Sequence, residues 1–330
     1  MAAALVLFAV VVATLAAGLI WQCIEERRDL QRFPPAGRML EGIHIHCTGE
    51  GQPPVVLESG IAASSVGWAL VQPELSRFTK VCATDRPGLA WSELSREGRT
   101  PDQFMREMRA VIRFAGTPVI LVGHSFGALL VRLYASRFPG DVAGLVLADP
   151  ALLCEWANPT ETRKRMLARG VRLSRRGASL ARIGFVRLSL ALLTGGRRFL
   201  PKLFATMSSG KGASVTERLV GEVRKLPPEL WPVVQSHWCR PRSFRSMAEH
   251  LESLPAVAAE VARSPLSQDL PVIVISGGHL STEQLREHQE IAQASKHGRH
   301  ILAEGSGHWI HLDRPDLIVE AVRSLLSKHG

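Results

Sequence analysis

Short apolar runs alternating with stretches of helical spacing organise most of this 330-residue chain. Val55 to Glu58, Lys80 to Thr84, Val119 to Val122, Leu145 to Ala148, Val272 to Ile275 and His300 to Ala303 are predicted strands. Several are near-continuous Val, Ile and Leu runs, as expected of parallel strands covered on both faces. Pro101 to Ala115, Ala128 to Phe138, Ser281 to Ser295 and Pro315 to Leu326 carry apolar residues at helical spacing between them. Strands alternating with helices predict a doubly wound, mostly parallel α/β sheet.

The rhythm breaks at both ends of this pattern. Ala2 to Trp21 has no charged side chain and matches the roughly 20 residues that a helix needs to cross a bilayer. A retained transmembrane anchor is favoured over a cleaved signal peptide, because the apolar run is long and no basic residue precedes it. A polar tether ending in Pro34-Pro35 should follow. From Leu152 to about Pro265 strand-like runs vanish and Arg alternates with Leu, Ile, Val and Phe, which predicts an inserted helical cap. The expected organisation is an anchor over 1–22, a tether over 23–37, a core over 38–150 and 266–330, and the cap over 151–265.

Charge sharpens the picture of the cap. The formal charge is +10, and residues 151–265 hold 20 of the 40 Lys and Arg but only 8 of the 30 Asp and Glu. Such a block suits an anionic lipid surface or a solvated face, and nucleic acid is excluded because no zinc spacing, aromatic RNA-binding motif or helix-turn-helix signal accompanies it. The partner expected is therefore the membrane, through residues 2–21 and the basic cap. Arg27, Arg28, Arg32 and Arg38 follow the span, which favours a cytoplasmic C-terminal body. The five cysteines are odd in number, widely spaced and never C-x-x-C. That pattern predicts packed thiols, with no metal site and no disulfide framework; no cofactor is implied.

The chemistry is carried by Gly123-His124-Ser125-Phe126-Gly127, a G-x-S-x-G directly after a predicted strand and before a predicted helix. A serine on such a tight turn needs small neighbours, and the helix start stabilises negative charge nearby. Serine needs a base to take its proton during attack. Of twelve histidines, His308 is best placed, on the Gly305-Ser306-Gly307 loop after the last predicted strand. His311 leads into the following helix and reads as structural, and His124 as packing near the turn. The acid that orients the base is Asp149, at the end of Leu145 to Ala148, or alternatively Glu283, since no carboxylate directly follows Val272 to Ile275. The oxyanion donors expected are the backbone N–H groups of Phe126 and of Ile61, on the Ser59-Gly60-Ile61-Ala62 loop.

Taken together, Cys47-Thr48-Gly49-Glu50-Gly51, Leu57 to Gly60, Asp85-Arg86-Pro87-Gly88, the serine turn, Leu145 to Pro150 and Ser306-Gly307-His308 resemble the α/β-hydrolase superfamily over about residues 38–150 and 268–330. The resemblance implies an α/β-hydrolase fold, with Ser125 as nucleophile, His308 as base and Asp149 in the acid position used by haloalkane dehalogenases. Those dehalogenases and the related epoxide hydrolases attack with aspartate, so Ser125 implies neither activity. Ser59 stands where many members have histidine, and Ala90 replaces a frequent glycine. The function expected is hydrolysis of a carboxylic ester or related acyl compound through an acyl-enzyme, and the membrane tether and Arg/Leu-rich cap favour a small acyl substrate of apolar character. A non-catalytic membrane-bound binding or signalling module, or an acyltransferase, is the alternative.

Overall fold

The computed structural model describes residues 1–195 and 223–327, with the side chains of 193–195 left out. Eight strands form one sheet: β1 (Arg38–Leu40), β2 (Ile43–Thr48), β3 (Val55–Glu58), β4 (Val81–Asp85), β5 (Val119–His124), β6 (Val142–Ala148), β7 (Val272–Gly277) and β8 (Arg299–Ala303). Their order is β1-β2-β4-β3-β5-β6-β7-β8. β1 and β2 are antiparallel to their neighbours, and every pairing from β4 to β8 is parallel. β3 to β7 are buried along their whole length, which is why they read as unbroken apolar runs in the sequence.

The longer helices are α1 (Ala2–Arg32), α2 (Pro101–Ala115), α3 (Phe126–Arg137), α4 (Glu161–Arg182), α5 (Phe185–Gly195), α6 (Trp231–Trp238), α7 (Pro241–Arg263), α8 (Thr282–Gln293) and α9 (Pro315–Leu326). One apolar cluster, including Phe104, Ile112, Leu129 and Leu145, fills one side of the sheet, and a second, including Trp68, Ile120, Val146 and Val322, fills the other. Helix starts follow the expected chemistry. Thr100 caps α2 by accepting the Gln103 N–H, and Ser281 forms a capping box with Gln284 at the start of α8.

The structure corrects two expectations and redraws a third. Gln22 to Arg32 is helical, so α1 runs through most of the expected tether; Cys23 to Arg32 contains Glu, Arg, Leu and Gln but neither Gly nor Pro, and nothing stops the helix before Phe33. Cys47 and Cys82 form a disulfide, against the expectation of packed thiols only. Their separation of 35 residues conceals that the antiparallel register of β2 and β4 sets them directly opposite each other.

The described chain also divides into two compact units, Met1–Pro35 with Arg172–Arg245, and Ala36–Val171 with Ser246–Gly330. Parts of the expected cap thus belong to the sheet unit. On α7, Leu254, Val257, Ala258 and Val261 form an i, i+3, i+4, i+7 stripe buried in its core. Among the described residues, every regular element between 151 and 265 is helical.

Within the other unit, α1 is the described helix long and apolar enough to cross a membrane, with mean hydropathy 2.7. Its second half is docked. Gln22 Nε2 donates to Cys239 O at 2.8 Å, and Arg187 donates to Gln22 Oε1 at 3.1 Å and to Asp29 Oδ2 at 2.7 Å.

Candidate active site

Ser125 occupies the turn between β5 and α3 with φ 55° and ψ −118°. Few residues other than glycine adopt such a positive φ, so the surroundings must hold it there. The flanking glycines show why the turn needs them. A Cβ on Gly123 would lie 2.6 Å from Ala128 Cα, and one on Gly127 would lie 2.4 Å from Glu58 O and 2.5 Å from Ser59 O. Both approaches are shorter than any tolerated contact, so only glycine lets α3 close onto β5 and β3. The Ser125 N–H donates to Ala148 O at 3.1 Å, and the Ala151 N–H donates to Ser125 O at 3.2 Å, which ties the turn to the end of β6.

Asp149 emerges at that end, also with positive φ, 44°. Its N–H donates to Ile275 O at 2.7 Å, and its Oδ1 accepts the Gly277 N–H at 2.9 Å, so β7 fixes both its backbone and its carboxylate. Its Oδ2 lies 2.5 Å from His308 Nδ1. The carboxylate only accepts, so Nδ1 carries the proton and Nε2 is left as the basic nitrogen. Asp149 is buried, whereas 35% of the His308 side chain is exposed. Glu283, the alternative acid, is exposed on the first turn of α8, and its charge acts on Cys154.

Behind this pair, His288 Nε2 donates to Pro150 O at 2.9 Å, and Ser276 Oγ bridges His288 Nδ1 and His300 Nε2, each at 2.8 Å. These bonds hold the segment leaving Asp149. His124, inside the turn, is fully buried and donates from Nε2 to His308 O at 2.8 Å, which positions the loop carrying His308. Burial, and then the neighbouring His311 and His308, hold His124 well below the usual imidazole range. A neutral ring suits this supporting place. His311 is buried on the short helix Ile310–Asp313, 4.5 Å from the His124 ring.

The loop expected to supply an oxyanion donor passes over the serine: a Cβ on Gly60 would lie 3.4 Å from Ser125 Cβ and 3.0 Å from His124 Nδ1. Ile61 is the next residue, and Phe126 opens α3, where the first N–H groups have no acceptor within the helix. Ser59, in the place often held by histidine, accepts a hydrogen bond from Trp68 Nε1 at 2.9 Å and donates to Ser64 O at 3.2 Å. Ala90, in place of a glycine, takes φ 41°.

Sequence reasoning missed two groups. Arg86 is buried and donates to Glu58 Oε1, to Ser59 O at 2.6 Å and to Gly60 O, clamping the Ser59-Gly60 loop. Burial lifts the Glu58 carboxyl above its ordinary value even though Arg86 opposes this. The Asp85-Arg86 motif was legible, but its target lies 26 to 28 residues earlier in the chain. His279, just past β7, places Nε2 3.5 Å from Asp149 Oδ2. Asp149, His279 and His308 bring their donor atoms within 4.8 Å of one another, a set that could also hold a metal ion.

A sheet of this order, with a serine on the turn after β5 and a histidine on the loop after β8, is the architecture of a hydrolase. The chain belongs to the alpha/beta hydrolase family, whose model matches residues 55–321. It is 32% identical over 132 residues to the uncharacterized protein YqjL of Bacillus subtilis (strain 168), covering 37% of this chain and 52% of YqjL. The chain thus spans about half the length of that curated relative. It is 23% identical over 312 residues to the sn-1-specific diacylglycerol lipase ABHD11 of Mus musculus, covering 92% of this chain and 88% of the lipase. Among solved structures, a putative epoxide hydrolase from Pseudomonas aeruginosa superposes with TM-score 0.61 at 20% identity, covering 87% of this chain and 92% of that one. A thermophilic esterase from Thermogutta terrifontis superposes with TM-score 0.55 at 19% identity, covering 87% and 93%. At these identities the structural likeness establishes the fold alone.

Proposed function

We propose that this hydrolase is a membrane-anchored serine enzyme that cleaves a carboxylic ester or related acyl compound through an acyl-enzyme. The observation that carries the reading is the 2.5 Å bond from His308 Nδ1 to Asp149 Oδ2, on the sheet edge where the Gly60 loop crosses Ser125. In this reading His308 Nε2 takes the Ser125 Oγ proton as Oγ attacks the acyl carbon. Asp149 holds the ring orientation and stabilises the imidazolium that forms. The developing oxyanion is met by the N–H groups of Phe126 and Ile61. The imidazolium then protonates the leaving alcohol, and His308 activates water to release the acid.

Similarity over most of the chain to a diacylglycerol lipase makes acylglycerols the first substrates to try. The exposed apolar half of α1 supports delivery of such a substrate from a bilayer, with α1 as a single-pass anchor.

The test is labelling of the full chain in detergent with a fluorophosphonate probe, beside Ser125→Ala. Labelling and acyl-ester turnover that both vanish in the variant are expected. Labelling that persists in Ser125→Ala, or intact protein that neither labels nor turns over esters, overturns the reading.

A further inference from the structure

Asp149 is already served on both oxygens: His308 Nδ1 donates to Oδ2 and the Gly277 N–H to Oδ1. A triad acid needs one imidazole. A second one nevertheless faces it, with His279 Nε2 3.5 Å from the same Oδ2. Gly277 shows how this second ring is accommodated. A Cβ there would lie 2.6 Å from His279 Nδ1 and 2.5 Å from Gly307 O. Only glycine at 277 therefore lets the His279 ring fold back on the end of β7 while the loop bearing His308 closes over the same point. One residue fixes the carboxylate through its N–H and admits both histidines beside it.

The three groups have the chemistry and the spacing of a divalent metal site. Two imidazoles and a carboxylate form a ligand set that zinc takes, with a fourth position left for water. Zinc bonds of about 2.0 to 2.1 Å at tetrahedral angles put neighbouring donor atoms roughly 3.3 Å apart. The 3.5 Å between His279 and Asp149 is close to that separation, and all three donor atoms lie within 4.8 Å of one another. The His279 and His308 rings stand nearly perpendicular, at 82° with centroids 6.1 Å apart, so their nitrogens can converge without the rings stacking. The 2.5 Å contact between His308 Nδ1 and Asp149 Oδ2 must open by about 0.8 Å to admit the ion, within reach of a small ring rotation. Asp149 is buried, whereas both rings are partly exposed, which gives a hydrated ion a path from solvent.

We propose that Asp149 Oδ2, His279 Nε2 and His308 Nδ1 bind a zinc ion that switches the hydrolase off. The proposal rests on the reading of Ser125 as nucleophile and His308 as base. In the active state Nδ1 carries the ring proton, and the Nε2 lone pair takes the proton of Ser125. Zinc coordinates through the Nδ1 lone pair, so the one proton of the neutral ring passes through water to Nε2. The ring stays neutral, and nothing is oxidised or reduced. Nε2–H is then a donor, and Ser125 has no acceptor for its proton.

The site is read first without catalysis. Metal-stripped Ser125→Ala, as the full chain in detergent, is titrated with zinc against a chromophoric chelator. Adding His279→Phe, or the more conservative His279→Gln, should weaken binding by more than about tenfold, because even residues outside the ligand set contribute that much. The switch is read next, by fluorophosphonate labelling of proteins that keep Ser125, each compared with its own zinc-free rate. Zinc should suppress wild-type labelling to the level of Ser125→Ala, a chelator should restore it, and both His279 variants should lose the response. Magnesium, which prefers oxygen ligands, should suppress none of them. Circular dichroism melting that matches the wild type excludes unfolding as the cause. Zinc affinity that is equal with and without His279, or labelling suppressed to the same extent in the His279 variants, overturns the proposal. Binding that requires His279 but leaves wild-type labelling unchanged overturns the switch. Wild type that fails to label when metal-free sinks the serine-hydrolase reading and the switch with it, whereas the chelator titration reads the metal site independently.

Discussion

His308 Nδ1 and Asp149 Oδ2 lie 2.5 Å apart, although 159 residues separate them in the chain. The bond joins the loop after β8 to the end of β6, and the Gly277 N–H holds the opposite oxygen of the same carboxylate.

Asp149→Asn should lower kcat by about 10³ to 10⁴, because an amide cannot hold the imidazole in the required tautomer. Glu283→Ala should change kcat less than about twofold, since Glu283 is an exposed residue on the first turn of α8. Steady-state ester hydrolysis by both variants checks the pair. A large loss in Glu283→Ala with activity retained in Asp149→Asn would reverse the assignment.

Arg86→Lys should reduce kcat by roughly 10² with a smaller change in KM, because a lysine keeps the charge but cannot bridge the Ser59 and Gly60 carbonyls and Glu58 together. The oxyanion loop would lose its clamp while the substrate pocket stays in place. Kinetics measured well below the variant's melting temperature separate this effect from the cost of disturbing a buried ion pair.

Stability should fall in acid. His124 and His250 are fully buried and held well below 6.5, His124 by burial and its histidine neighbours, His250 by burial and the charges of Arg86 and Arg99. Below pH 6.5 the unfolded chain takes up protons that these folded rings refuse, so each group removes up to about 1.4 kcal/mol per pH unit until its folded value is reached. His44 works in the other direction. Burial lowers it, but the hydrogen bond to Asp85, the Asp85 charge and the Ala36 carbonyl together raise it by more, so its contribution is complete below 6.5 and fades as pH rises through the folded value. His250 has no hydrogen-bond partner at either ring nitrogen among the described residues and packs beside the Phe104 and Phe126 rings. Urea midpoints between pH 7 and 5 should therefore fall less steeply in His250→Phe than in the wild type; equal slopes would remove His250 from the account.

Alkylation of unfolded, unreduced protein should modify Cys23, Cys154 and Cys239 only, and reduction should add Cys47 and Cys82. Cys47→Ser/Cys82→Ser should cost about 3 to 4 kcal/mol by urea denaturation, given the length of chain the bond closes. The bond also opposes the cytoplasmic placement suggested by the arginines after the apolar run of α1, because cytosolic thiols are kept reduced. Membrane-impermeant labelling of exposed Cys154 in intact cells reads the side directly.

What the sequence determined by itself was local. Periodicity and composition located β3 to β8 to within a few residues, the apolar run of α1, the serine turn with its two glycines, and the histidine loop after the last strand. These features are set by neighbours within a few residues, through side-chain period, steric demand and turn chemistry. β1 and β2 are short and only partly apolar, and they left no comparable signal. The tertiary structure decided which carboxylate faces His308, that Cys47 meets Cys82, that Arg86 grips the Gly60 loop, and that the stripe from Leu254 to Val261 belongs to the sheet unit. Each of these depends on strand order and register, which bring together residues that the chain keeps far apart.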